Sequence, residues 1–235
     1  MFDAIFFDLD GTLLPMDNDT FINGYLGSLC ENVSAYGYSK EALIPAMWKG
    51  VAAMVKNDGS RKNSEVFWKT FADLMGDQVY DHIKYFDKFY SGNFKESVKF
   101  TKPGPLSKKA VEIARTKTPH VVLATNPWFP QAGVETRLNW VGLTADDFEL
   151  VTNYDNSGTC KPNPAYYIET ANKINVKPEN CLMVGNNVKE DALAAMEAGL
   201  SAYLITDCIL NDSDTLPDCP HGTFEEFIEY LNQLS

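Results

Sequence analysis

No stretch of this 235-residue sequence approaches the roughly 18 consecutive apolar residues that a membrane-spanning helix needs. Met1-Phe2-Asp3-Ala4 also lacks the basic start and apolar run of a secretory leader. Membrane partners are therefore not expected, and the cytoplasm is the expected location. Positive charge is scarce: 20 Lys and Arg face 32 Asp and Glu, a formal net charge of -12. Such a surface repels phosphate backbones and anionic headgroups, which argues against nucleic-acid partners. An anionic ligand would have to meet positive potential built locally, by a metal, a lysine or a helix N-terminus. His82, His120 and His221 form no cluster, and Cys30, Cys160, Cys181, Cys208 and Cys219 contain no CxxC. That spread excludes a zinc ribbon and a disulfide framework and leaves thiols in a reducing compartment. Internal repeats and low-complexity tracts are missing too, and nothing in the sequence speaks to oligomeric state.

What is present is an alternation of short apolar runs and helical patterns. Residues 4–7 are apolar from the outset and stop at Asp8-Leu9-Asp10-Gly11-Thr12, so they read as a buried strand ending in a polar turn. The same grammar recurs at 120–124 before Thr125-Asn126-Pro127, at 181–184 before Gly185-Asn186-Asn187, and at 201–205 before Thr206-Asp207, with 148–151 a weaker fifth strand. Helical patterns span 106–116, 131–141, 164–174 and 188–198, the last stopped by Gly199. Thr223-Phe224-Glu225-Glu226 fits a capping box and starts a final helix. Strands alternating with helices predict an α/β fold, a Rossmann-like parallel sheet with helices on both faces. Ligands of such sheets bind at the carboxyl ends of the strands, where all these polar clusters fall.

The rhythm breaks between residues 18 and 95, where amphipathic stretches at 21–33, 40–55, 64–74 and 79–89 offer no strand. This predicts a second, smaller all-helical domain at 18–95, with residues 1–17 and 96–235 as the core. Lys102-Pro103-Gly104-Pro105 reads as the return hinge. Trp48, Trp68, Phe71, Tyr85 and Tyr90 sit at helical spacings there, as expected of a small helical core.

Asp8 and Asp10 lie two positions apart just past the first strand, and a bend at Gly11 lets both carboxylates address one point. An Asx turn capping the strand is the purely structural alternative. Taken with Thr125-Asn126, Lys161-Pro162-Asn163-Pro164 and Gly185-Asn186-Asn187-Val188-Lys189-Glu190-Asp191, however, the pattern resembles the four ordered motifs of the haloacid dehalogenase superfamily. The match covers essentially the whole core. It implies a magnesium-dependent hydrolase, of the phosphatase kind, acting on a small phosphorylated substrate.

In that resemblance Asp8 is the nucleophile, since a carboxylate can form an aspartyl-phosphate and split a hard hydrolysis into two easier steps. Asp10 is the general acid that protonates the leaving oxygen and then the base that activates water. Thr125, Asn126 and nearby backbone N–H groups bind phosphoryl oxygens. Lys161 neutralises the phosphate and the packed carboxylates. Asp8, the Asp10 carbonyl, Asn186 or Asn187, and Asp191 form the Mg2+ side, a hard-oxygen set that suits the ion. The helical insertion corresponds to the family's cap, and the short stretch between Asn126 and Lys161 leaves no room for another.

The fourth motif departs from the family pattern, because the two positions that usually offer an acid before Asp191 are Asn186 and Asn187. An amide oxygen can ligate magnesium without adding charge, so weaker metal affinity is expected. A phosphomutase sharing the aspartyl-phosphate, or a non-catalytic binding or regulatory protein, are the alternatives. Dehalogenation is disfavoured because Asp10 is present, and halide departure needs no protonation. Which substrate is used is not written in the sequence.

Overall fold

The computed structural model describes residues 2–213 and 215–234. One parallel sheet runs through it, built from β1 (Ala4–Phe7), β2 (His120–Leu123), β3 (Leu150–Val151), β4 (Cys181–Gly185), β5 (Ser201–Ile205) and β6 (His221–Gly222). The strand order is β3-β2-β1-β4-β5-β6, the doubly wound order, and the chain switches sides of the sheet between β3 and β4. In such a sheet the crevice at the carboxyl ends of the central strands is where ligands lodge. β1 is central, with Phe7 in register with Leu123 of β2 and Val184 of β4. The residues following these three strands therefore emerge side by side, although they lie far apart in sequence.

Both faces of the sheet are covered, which is why its strands are continuous apolar runs and not alternating ones. Ile5, Phe7, Leu123 and Val184 pack on one face against α5 (Leu106–Lys117), α6 (Gln131–Trp140) and α9 (Phe224–Gln233). Ala4, Phe6, Val122 and Met183 pack on the other against α7 (Pro164–Lys173) and α8 (Ala194–Glu197). The capping box at the start of α9 is formed, Thr223 and Glu226 satisfying each other's backbone N–H.

Between β1 and α5 lie four helices: α1 (Asn18–Val33), α2 (Lys40–Val55), α3 (Asn63–Met75) and α4 (Val79–Ser91). A 3-10 segment, Asn93–Phe100, follows them. Asp17 and Ser39 cap α1 and α2 by accepting backbone N–H groups of Thr20 and Ala42. The two ends of this insertion meet where the Lys102 N–H donates to the Pro15 carbonyl at 2.8 Å. Its interior is aromatic, with Trp68, Phe71 and Phe86 meeting edge to face. Asn63, fully buried, ties the start of α3 to the loop before Lys161. Its backbone N–H donates to the Ser157 carbonyl at 2.8 Å and its side-chain amide to the Thr159 carbonyl at 3.2 Å.

Three local features differ from the expectation. β6 is a two-residue edge strand, too short to leave a pattern. The 3-10 segment extends the helical part to Phe100. The helix expected over 188–198 opens as a wide π-helical turn, Val188–Leu193, before α8, because the Asn187 carbonyl accepts N–H groups from both Asp191 and Ala192.

Candidate active site

Asp8 continues β1 by one residue, its N–H donating to the Val184 carbonyl at 2.9 Å. The chain then turns sharply over residues 9–14, closed by the Leu14 N–H on the Leu9 carbonyl at 2.8 Å. Gly11 makes the turn possible in two ways. Its φ of 83° is in the left-handed region, and a Cβ there would lie 2.3 Å from the Asn186 amide nitrogen. The Thr12 hydroxyl closes the gap by donating to Asn186 Oδ1 at 3.1 Å. Asp8 and Asp10 consequently face one cavity together with Thr125, Asn126, Asn186, Asn187, Glu190 and Asp191.

Lys161 lies beneath that floor with 0% exposure. Its ammonium donates to Asp8 Oδ1 at 2.9 Å and to Asp191 Oδ1 at 2.6 Å. Asp191 is held from the other side by the Asn187 N–H, 2.9 Å from Oδ2, and lies so close to Gly185 that a Cβ there would be 2.2 Å from its carboxyl carbon. The arrangement places the four expected stretches in contact. Asn126 bridges two of them, donating to the Lys161 carbonyl at 3.3 Å and to Glu190 Oε2 at 2.9 Å. The Thr125 carbonyl accepts from the hydroxyls of Thr152 and Tyr166, which fix the loop after β2.

The two asparagines take different positions. Asn187 Oδ1 accepts the N–H groups of Lys189 and Glu190, both at 3.1 Å, and so caps the following turn. Asn186 is buried against Gly11 and Thr12, and its amide donates to the Cys208 carbonyl at 2.6 Å.

Arg137 and Glu190 complete the constellation, and Arg137 was not foreseen. From α6, with 0% exposure, Arg137 donates Nη1 to Asp10 Oδ2 and Nε to the Gly133 carbonyl, while its guanidinium lies 4.0 Å from the Phe129 ring centroid. Asp10 Oδ1 and Arg137 Nη2 are buried without partners among the described residues. One sequence signal existed. Val134, Arg137, Leu138 and Val141 follow i, i+3, i+4, i+7, so the arginine occupies the apolar stripe of its helix. A charge there requires a buried partner.

Burial pushes the Asp8 carboxyl up to about 8; Lys161 opposes the rise, and Asp191 and Asp10 add to it. Burial also raises Glu190, with Asp191 in the same direction. Lys161 is disfavoured by burial, yet Asp191 and Asp8 hold it well above the usual lysine value. The cavity floor thus gathers four carboxyl groups, Asp8, Asp10, Glu190 and Asp191, against two cations, Lys161 and Arg137. Among the described residues no donor reaches the second Asp8 oxygen or the Asp10 carbonyl, and no three His, Cys, Asp or Glu side chains form a metal cage. Two carboxylates, a free carbonyl and an amide oxygen are an oxygen-only donor set of the kind a hard cation with retained waters accepts. The histidines are elsewhere: His82 binds the Tyr38 hydroxyl at 3.0 Å, His120 pairs with Glu149, and His221 contacts the Cys219 carbonyl. All five cysteines are free thiols.

Comparison with known proteins agrees with this architecture. Residues 2–199 match the family model described as haloacid dehalogenase-like hydrolase. A 58-residue stretch is 41% identical to a glyceraldehyde 3-phosphate phosphatase of Methanothermobacter thermautotrophicus, covering 25% of this chain and 26% of that protein. The chain thus spans about a quarter of the length of that curated relative. The whole chain superposes on a 2-haloacid dehalogenase from Pseudomonas syringae pv. Tomato at a TM-score of 0.67 and 19% identity, covering 100% of each. A magnesium-bound HAD-hydrolase from Bacillus subtilis aligns at 0.59 and 16% identity, covering 98% of this chain and 99% of that one. At these identities the two structures establish the fold alone.

The raised carboxyls have a consequence for stability. Without a bound cation, the folded protein keeps protons on Asp8 and Glu190 that the unfolded chain has already released above their ordinary values of 3.8 and 4.5. Folding is then favoured by protons, and stability falls as pH rises from about 5 to about 8. Lys161 is protonated in both states across this window and contributes no slope. Thermal melts of the metal-free protein should show Tm declining over that range. A Tm that rises would mean that Asp8 is ionised in the folded state.

Proposed function

The chain belongs to the haloacid dehalogenase-like hydrolases, and on that premise we propose that it is a magnesium-dependent phosphatase of a small phosphorylated metabolite, working through an aspartyl-phosphate on Asp8. The observation that carries the reading is the joint placement of Asp8 and Asp10 on one cavity floor, with Lys161 buried between Asp8 and Asp191. The curated relative's name, glyceraldehyde 3-phosphate phosphatase, supports a phosphate ester as substrate. The four helices between β1 and α5 act as the cap over the cavity, since their residues Phe21, Met47, Trp68 and Phe86 line it together with the two aspartates.

In the first half-reaction an Asp8 oxygen attacks phosphorus and the bond to the leaving oxygen breaks. Asp10 delivers a proton to that oxygen, so an alcohol departs and not an alkoxide. In the second half, water attacks the phosphorus of the aspartyl-phosphate and gives a proton to Asp10, which lost its own in the first half; the bond between phosphorus and the Asp8 oxygen breaks, and phosphate leaves with both carboxyl groups restored. Lys161 orients the nucleophile and offsets the charge that Asp8 and Asp191 bring together. Thr125 and Asn126 receive the phosphoryl oxygens, where charge develops. Arg137 holds Asp10 to the α6 side of the cavity by one oxygen and leaves the other free for proton transfer. Mg2+, held by Asp8, the Asp10 carbonyl and Asn186, would keep Asp8 ionised and screen the phosphoryl group from the carboxylates around it.

Asp8→Asn should abolish magnesium-dependent release of phosphate from an aryl phosphate while the chain still folds, with Tm lowered because buried Lys161 loses one of its two carboxyl partners. Asp10→Asn should lower kcat on the order of 10²–10⁴-fold. Full turnover by Asp8→Asn would remove the nucleophile assignment. The roles of the two asparagines separate in a magnesium titration. Asn186→Asp adds a charged oxygen beside the donor set and should move half-saturation to lower magnesium concentration. Asn187→Asp, on the capping side chain, should not. Absence of any magnesium requirement in the parent, with neither variant shifted, would favour a non-catalytic role.

A further inference from the structure

The cavity above Asp8 and Asp10 has a volume of about 150 Å³. A space of this order holds a benzene-sized group. Its floor is polar, whereas its walls are mostly apolar: α1 supplies Phe21, α2 Met47 and Val51, α3 Trp68 and α4 Phe86, with the hydroxyls of Tyr25, Tyr90 and Tyr154 among the few polar groups. No Lys, Arg or His lines it among the described residues. The two nearby cations are already committed behind the floor, Lys161 to Asp8 and Asp191, and Arg137 to Asp10. Among the described residues, the one charged side chain that lines the cavity away from the floor is Asp87, an acid.

These facts constrain the part of the substrate beyond its phosphoryl group. A second negative group, such as a carboxylate or another phosphate, would leave water for apolar walls with no counter-ion and with Asp87 repelling it. A polyhydroxylated alcohol would bury several hydroxyls against walls that are mostly carbon, where the Tyr25, Tyr90 and Tyr154 hydroxyls, Asn18 and the Trp128 indole N–H are the few partners, so part of its hydroxyls would go unpaired. An apolar alcohol loses nothing of this kind and gains by burial against the rings. We infer that the substrate is a phosphate monoester of a compact, uncharged apolar alcohol, aromatic or branched aliphatic. This rests on the phosphatase reading above and adds to it the class of the leaving group.

The test compares benzyl phosphate, 3-methylbutyl phosphate, glycerol 3-phosphate and 2-phosphoglycolate as substrates of the full chain with magnesium. All four release an alkyl alcohol, so the comparison reports recognition more than leaving-group chemistry. The inference expects kcat/KM for the first two to exceed that for glycerol 3-phosphate by at least about tenfold, and that for 2-phosphoglycolate by about a hundredfold. Equal or greater efficiency on either polar substrate overturns it. If none is hydrolysed, the phosphatase reading fails, and the pocket is judged by calorimetric binding of benzylphosphonate against 2,3-dihydroxypropylphosphonate. Tighter binding of the benzyl compound by at least about tenfold sustains the apolar site. Equal or weaker binding overturns it. Val51→Lys, at a half-buried wall position, supplies the missing cation and should raise the efficiency ratio of 2-phosphoglycolate to benzyl phosphate about tenfold; an unchanged ratio counts against the wall as the source of selectivity.

Discussion

Lys161 carries a full charge at a position with no exposure, and it is tolerated there only because Asp8 and Asp191 lie within 2.9 and 2.6 Å of its ammonium. A buried ion is costly without a partner, and removing one member of such a group typically destabilises by about 3–5 kcal/mol. Three segments distant in sequence are thereby made interdependent: the end of β1, the loop before α7 and the wide turn after β4. The parallel sheet brings these ends together, and the ion triad fixes their side chains. The tight approach of Asp191 to Gly185 and of Asn186 to Gly11 follows from the same convergence, since neither contact leaves room for a Cβ.

Asp10 has a second cation of its own. Arg137 reaches it from α6 with its guanidinium stacked on Phe129, so the two carboxylates of the floor are separately tethered, one to Lys161 and one to Arg137. Both cations lie behind the floor. The cavity itself therefore presents oxygens below and aromatic carbon above, which suits a phosphoryl group accompanied by a divalent cation at one end and an apolar group at the other.

The core strands were legible because both faces of the sheet are covered, which leaves uninterrupted apolar runs at β1, β2, β4 and β5. The polar residues just beyond those runs named the floor, and the structure brings Asp8, Asp10, Thr125, Asn126, Asn186 and Asp191 to one cavity. Arg137 escaped because a single arginine in an amphipathic helix is ordinarily a solvated one; its place on the apolar stripe was the available signal. The choice between Asn186 and Asn187 could not be read from spacing. Their side chains differ by tertiary contacts: Asn187 caps the following turn, and Asn186 is buried against Gly11 and Thr12. The aromatics of the insertion divide the same way. Phe71 packs inside the helical core and Tyr85 stacks on Tyr36, whereas Trp48, Trp68 and Tyr90 line the cavity, a difference of tertiary packing invisible to helical periodicity.

The central claim is that Asp8 takes the phosphoryl group. It is tested most directly by acid-quenching a single turnover within its first phase and sequencing the modified peptide by mass spectrometry. The account predicts one phosphoryl increment on the N-terminal peptide, located at Asp8 and missing from Asp8→Asn. Phosphate release with no covalent intermediate, or an increment on any other residue, would contradict it.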